Sequence, residues 1–170
     1  MFTLTERVSI SAANTDTFAT IDLGSYVDVG DRQALQVHSV DFIFQGTTAG
    51  EAVWSTFGGA SQVTVQVTDL NRGGLVFAND RAMVASGVLH FDNDEYLQNS
   101  TDQYPDNYGK GADDGRYVVN DQLYITGLAT ALDTGNNKVL NVTVRVNASI
   151  VTLGAKDFMA IAIQSTAADN

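Results

Sequence analysis

From Lys138 to Leu153 the chain alternates without interruption. Leu140, Val142, Val144, Val146, Ala148 and Ile150 are apolar or small, and Asn141, Thr143, Arg145, Asn147 and Ser149 between them are polar. Successive side chains of an extended chain point to opposite faces, so the alternation predicts a strand with one dry face and one wet face. At roughly 3.3 Å per residue it would span on the order of 45–50 Å, far beyond the usual strand of about 5–6 residues. Such a strand needs a sheet of similar reach, and other periodic segments supply its neighbours.

Phe2–Ile10 alternates Phe2, Leu4, Glu6, Val8 and Ile10 against Thr3, Thr5, Arg7 and Ser9, with Glu6 interrupting the apolar face. Ala12 to Asp16 reads as a turn, Thr17 to Leu23 as a short strand, and Gly24 to Arg32 as a loop. Gln33 to Phe44 is a strong strand with apolar residues on both faces at its far end: Val40, Phe42 and Phe44 on one, Leu35, Val37 and Ile43 on the other. That pattern marks a strand covered on both sides. Glu51 to Phe57 predicts a turn or two of helix ending at Gly58 and Gly59. Ser61 to Leu70 alternates as a strand, and Asn71-Arg72-Gly73-Gly74 predicts a tight reversal into a strand over Leu75 to Ala78.

Ala82 to Phe91 fits strand or helix by hydropathy; Gly87 inside it and the β-branched neighbours favour strand. Asp92 to Arg116, rich in Asp, Asn, Gly and Tyr, predicts a long loop of a kind that is usually functional or mobile. Tyr117 to Leu132 returns to strand character, and Asp133 to Asn137 predicts a hairpin turn into the long strand. Beyond Gly154 the period changes. Phe158, Ile161, Ala162 and Ser165 fall on one helical face with Met159 and Ile163 beside them, predicting a short C-terminal helix over Ala155 to Ala167. A final strand through Phe158 to Ile163 is the alternative. About eight strands with closely spaced turns describe a single all-β domain over 1–170, a sandwich or barrel, and a two-sheet jelly roll fits the strand count best.

Composition narrows the function classes. The 170 residues, 44% of them hydrophobic, suffice for one continuous core. No apolar run reaches the roughly 18 residues that a membrane span requires. Met1 to Arg7 has no basic stretch leading into an apolar one, so no secretory signal is expected unless one has already been removed. Without cysteine, disulfides and thiolate metal sites are excluded. The net charge of −11 argues against direct nucleic-acid binding, which needs Lys and Arg to neutralise phosphates. Asp outnumbers Glu 17 to 3 beside only three lysines, which suits either salty surroundings or a protein with many Asp turns.

The search for chemistry returns little. His38, Ser39 and Asp41 superficially resemble a catalytic trio, but on a regular strand His38 and Asp41 point to opposite faces. Neither a nucleophile elbow nor a phosphate-cradling glycine loop is present. Asp92, Asp94 and Glu95, with Asp113 and Asp114, are weak candidates for a cation, lacking the Gly and distal Glu of the twelve-residue calcium loop. No cofactor is expected. Glycosylation-type triplets at Asn99, Asn141 and Asn147 arise readily by chance in Asn- and Thr-rich strands. Tyr96, Tyr104, Tyr108 and Tyr117 cluster around the acidic loop, where they could stack on sugars, anchor an interface or pack the loop down. Trp54 and Phe57 pose the same choice, and Phe42 and Phe44 are further interface candidates.

The segments E-R-V-S-I at Glu6 to Ile10, A-T-I-D-L at Ala19 to Leu23 and D-R-Q-A-L-Q-V-H-S-V-D-F at Asp31 to Phe42 resemble small coat proteins of tailless icosahedral viruses of bacteria and archaea. The similarity extends over the whole chain in size and strand layout, as general style rather than a diagnostic motif. It implies a single jelly roll that assembles with copies of itself into a shell and resides in the virion after synthesis in the host cytoplasm. The chain lacks the basic arm of coats that grip their genome. The implied shell is therefore separated from nucleic acid by lipid or by a second coat protein. The alternatives are a carbohydrate-binding or adhesion module, with Tyr96, Tyr104 and Tyr108 as stacking platforms, and a decoration or fibre subunit. The sequence predicts no enzyme.

Overall fold

The computed structural model describes residues 1–92, 97–104 and 115–167, with the backbone alone for 97–104 and 166–167. Its strands are β1 (Phe2–Ile10), β2 (Thr17–Asp22), β3 (Gln33–Gln45), β4 (Ser61–Thr68), β5 (Met83–Asp92), β6 (Leu97–Tyr104), β7 (Arg116–Val118), β8 (Gln122–Ala129) and β9 (Leu140–Thr152), followed by helix α1 (Ala155–Ala167). One sheet has the order β1-β9-β3-β7 and the other β2-β8-β4-β5-β6. The antiparallel pairs nest: β1 with β9, β2 with β8, β3 with β7, and β4 with β5. A ribbon of such pairs, rolled so that alternate pairs fall into opposite sheets, is the two-sheet jelly roll. β6 extends the second sheet at its edge.

The alternation in β9 explains its place. Leu140, Val142, Val144, Val146 and Ala148 are fully buried, and the strand lies between β1 and β3, as a long strand with one dry face must. Val8, Ile10, Leu35 and Val37 join them from the same sheet, facing Val63, Val65, Val67, Leu123 and Ile125 of the other. Within the second sheet Val65 pairs with Gly87 on one side and Gly127 on the other. The two glycines leave hollows beside Val65. A Cβ on Gly127 would lie 3.0 Å from Ile10 Cδ1, and one on Gly87 only 2.6 Å from Phe42 Cδ2. Ile10 and Phe42 thus lock across the sandwich where side chains are missing.

The two-sided apolar pattern of β3 has two causes. Its pairing with β9 slips between Val37 and Ser39, a bulge at His38. An extra residue there reverses the alternation, so Leu35 and Val37 before it and Val40, Phe42 and Phe44 after it all pack on the core. Double coverage is real at the opposite end from the one expected. Ala34 through His38 are buried, and Ala34 is covered by Phe158 of α1 with Val119. Ile43 at the far end is 38% exposed. Helix α1 occupies the predicted residues, with Phe158 and Ser165 buried, and turns Met159 and Ile163 outward.

Four further expectations need correction. Leu75 to Ala78 is not a strand: the Gln66 side chain donates to Val76 O at 2.9 Å and accepts from Val76 N at 2.8 Å, holding an irregular loop against β4. Asp133 to Asn137 is not a hairpin, because β8 and β9 belong to different sheets and the segment crosses between them. It carries a short 3-10 turn that ends at Asn137, φ 52°. Tyr117 to Leu132 divides into β7 and β8, again in opposite sheets. The long loop expected over Asp92 to Arg116 contains β6, and positions 93–96 and 105–114 lie outside the described residues.

Candidate functional site

The structure gathers polar chemistry at the end of β4. Asp69 follows the last residue of that strand, and its N–H donates to Ala82 O at 2.9 Å, closing the loop over 70–81. Arg72 pairs with Asp80 at 3.1 Å across the loop, and Asp80 also accepts from Ala82 N. Arg116, at the start of β7, donates through Nη2 to Asp69 Oδ2 at 2.9 Å and to Arg81 O. Asn120 donates to Asp69 O. Asp69 and Arg116 together therefore tie β4, the 70–81 loop and β7 to one another.

Beside this pair opens a cavity of about 480 Å³, lined by Asp69, Arg81, Arg116, Tyr117 and Val119 and closed on one side by Ile161, Gln164 and Ser165 of α1. Asp69 is 4% exposed. Burial pushes its carboxyl above the usual value of 3.8, outweighing the Arg116 charge, which lowers it. Asp69 Oδ1 and Arg116 Nε are buried without a hydrogen-bond partner among the described residues. The Arg81 side chain lies exposed at the rim.

Of the residues singled out by sequence, Tyr117 lines this cavity, and the other described ones fall elsewhere. His38 lies on the outer face, its Nε2 2.8 Å from Ser149 Oγ, and the bulge brings Ser39 and Asp41 to that face as well, where Asn147 donates to Ser39 Oγ at 2.8 Å and reaches Asp41 Oδ2 at 3.4 Å. His38 and Asp41 thus share a face, contrary to expectation. They engage β9 in a polar ladder and not each other. Phe57 is buried and stacks on Phe91 with centroids 5.1 Å apart, and Phe42 and Phe44 point inward against the core. These three are packing residues rather than surface anchors. Trp54 remains 47% exposed. Asp92 is exposed at the end of β5. Asp94, Glu95, Tyr96, Tyr108, Asp113 and Asp114 lie outside the described residues, as does the side chain of Tyr104. No group of three or more His, Cys, Asp or Glu able to hold a metal exists among the described residues.

A third ion pair fixes the 3-10 turn over Val53–Thr56 to the residues leading into β9. Glu51 accepts from Lys138 Nζ and from Ser55 Oγ, and these bonds lower its pKa from 4.5 to about 2. A depressed carboxylate pKa stabilises the fold above the unfolded value and loses that contribution as pH falls through the folded one. Glu51→Gln is therefore expected to melt below wild type at pH 6. The gap should close between about pH 4.5 and 2, as followed by thermal unfolding. A gap independent of pH would contradict the pairing.

No family model matches the chain, and no curated protein matches it. Solved structures match it at low identity and low TM-score. A chain of mud crab dicistrovirus is 12% identical over 91% of this chain and 72% of that one, with a TM-score of 0.37. VP1 of Trichodysplasia spinulosa-associated polyomavirus, solved in complex with GM1 oligosaccharide, is 8% identical over 89% and 95%, TM-score 0.43. A chain of Desmodium yellow mottle tymovirus is 10% identical over 91% and 90%, TM-score 0.30. At these scores the assignment of a jelly roll rests on the strand pairing.

Proposed function

We propose that the chain is a structural coat subunit that joins copies of itself into an icosahedral virus shell. The observation that carries this reading is the set of large apolar side chains left outside a core that is already closed. Phe77 is 87% exposed, Met159 63% and Phe18 56%, on the 70–81 loop, α1 and β2 respectively. Burying such surface against a neighbour is favourable by roughly 25 cal/mol per Å². Contacts on separate elements give each subunit several neighbours, and a closed lattice multiplies weak contacts. The resemblance at Glu6 to Ile10, Ala19 to Leu23 and Asp31 to Phe42 supports the same role.

The subunit carries no catalysis and no cofactor in this role, and it resides in the virion. Its net charge of −11 assigns contact with nucleic acid to another layer, a membrane or a second coat protein. The same charge makes neighbours repel over a Debye length of about 30 Å at 0.01 M salt and about 8 Å at 0.15 M. Assembly is therefore expected to weaken at low ionic strength, as measured by light scattering of the purified chain. Particles unchanged in salt-free buffer would contradict this electrostatic part. A defined trimer would instead favour a decoration or fibre subunit, and a sugar-binding monomer an adhesion module.

A further inference from the structure

We propose that the cleft between Asp69, Arg81, Arg116 and α1 is a carboxylate-binding site that receives an acidic side chain from a second copy of this chain. This deepens the shell reading and rests on it for the identity of the occupant. Arg116 spends Nη2 on Asp69 Oδ2 and on Arg81 O, leaving Nε–H buried without an acceptor. Arg81 is exposed, lines the same cavity and forms no ion pair among the described residues. Arg81 and Arg116 both line about 480 Å³ of partly enclosed space, and the guanidinium fork matches carboxylate geometry, so the cleft is suited to receive a carboxylate.

The unpartnered acceptor beside them selects the kind of ligand. Asp69 Oδ1 is buried and needs a hydrogen-bond donor, which a simple carboxylate anion lacks. A peptide segment supplies both parts, its acidic side chain accepting from Arg81 and Arg116 and a backbone N–H donating to Asp69 Oδ1. A metal cation is disfavoured by the surrounding arginines, Arg72 among those acting on Asp69. Charge points to a second copy. The chain has 20 acidic and 9 basic residues, and Arg72, Arg81 and Arg116, a third of the basic ones, gather at this end of β4. Every copy carries acidic side chains in excess together with this cleft. A pair seated in the cleft is also less screened by salt than the long-range repulsion between copies.

The test compares full-length wild type with Arg81→Glu and Arg81→Gln by sedimentation velocity and thermal unfolding. Arg81→Glu is expected to raise the concentration needed for assembly about ten-fold or more, and Arg81→Gln by less. Both should melt with wild type, because the replaced group is exposed. Assembly of Arg81→Glu at the wild-type concentration overturns the inference while leaving the shell reading intact. A wild type that never self-associates removes the shell reading. The site is then tested by titrating N-acetyl-aspartyl-glycine amide and, separately, inorganic phosphate. Saturable peptide binding that Arg81→Glu abolishes sustains the carboxylate site; phosphate binding alone, or no binding, overturns it.

Discussion

Replacing Gly87 by alanine is expected to destabilise the chain by about 1–3 kcal/mol, the usual cost of overpacking a well-filled core. Gly87 sits in the middle of β5, and an added methyl would lie 2.6 Å from Cδ2 and 2.9 Å from Cγ of Phe42. Phe42 belongs to β3 in the opposite sheet, so relief requires a ring to turn or the two sheets to part. Glycine in a strand ordinarily weakens it; here the missing side chain makes room for a ring. Urea denaturation should show a lower midpoint for Gly87→Ala. The double variant with Phe42→Leu should recover part of the loss, the non-additivity expected of residues in contact. An unchanged midpoint would mean that the Phe42 ring does not fill that hollow.

Arg116→Met is expected to cost about 3 kcal/mol at neutral pH, since removing one partner strands a buried charge. The Asp69 side chain is 5% exposed and the Arg116 side chain 25%. With Arg116 gone, nothing of equal strength opposes the burial that already raises the Asp69 pKa. An acid whose folded pKa is raised favours the folded state most below its unfolded value of 3.8, and this advantage is lost as pH rises through the folded value. The deficit of Arg116→Met should therefore shrink as pH falls toward 4, and Arg116→Met with Asp69→Asn should recover most of it at pH 7. Thermal unfolding across pH checks both. A deficit that grows on acidification would contradict a buried, unpaired carboxylate.

What the sequence revealed and what it concealed divide along a physical line. β9 and α1 were legible because each has one periodicity over its whole length, Leu140 to Ile150 at two and Phe158 to Ser165 near 3.6. The nesting of the strands was not legible, since Asp133 to Asn137 has the composition of a hairpin turn yet crosses between sheets. In β3 the extra residue at His38 inverts the alternation. A period-two count then places Val40, Phe42 and Phe44 opposite Leu35 and Val37, though all five share the core, and separates His38 from Asp41, which share the outer face. The mimicry of a strand pair by the Gln66 amide and Val76 depends on a side chain that no hydropathy pattern reports.

The basic cleft was hidden for another reason. Asp69, Arg81, Arg116 and Ser165 are scattered over nearly a hundred residues and meet only through loop closure, β7 and α1. The one sequence signal was an Asp placed directly after the strand V-T-V-Q-V-T at Val63 to Thr68, where a buried charge requires an arginine from elsewhere. The aromatic candidates erred in the opposite direction. Phe42, Phe44 and Phe57 looked available for contacts, and the core took them, while Phe77 and Met159, which drew no notice as anchors, stand in solvent.

Whether this domain builds by repetition is most directly tested by electron microscopy of the purified chain at about physiological ionic strength and rising concentration. Closed shells of uniform diameter, or curved sheets of a repeating unit, are the predicted result. Isolated 18.1 kDa subunits at every concentration would contradict it.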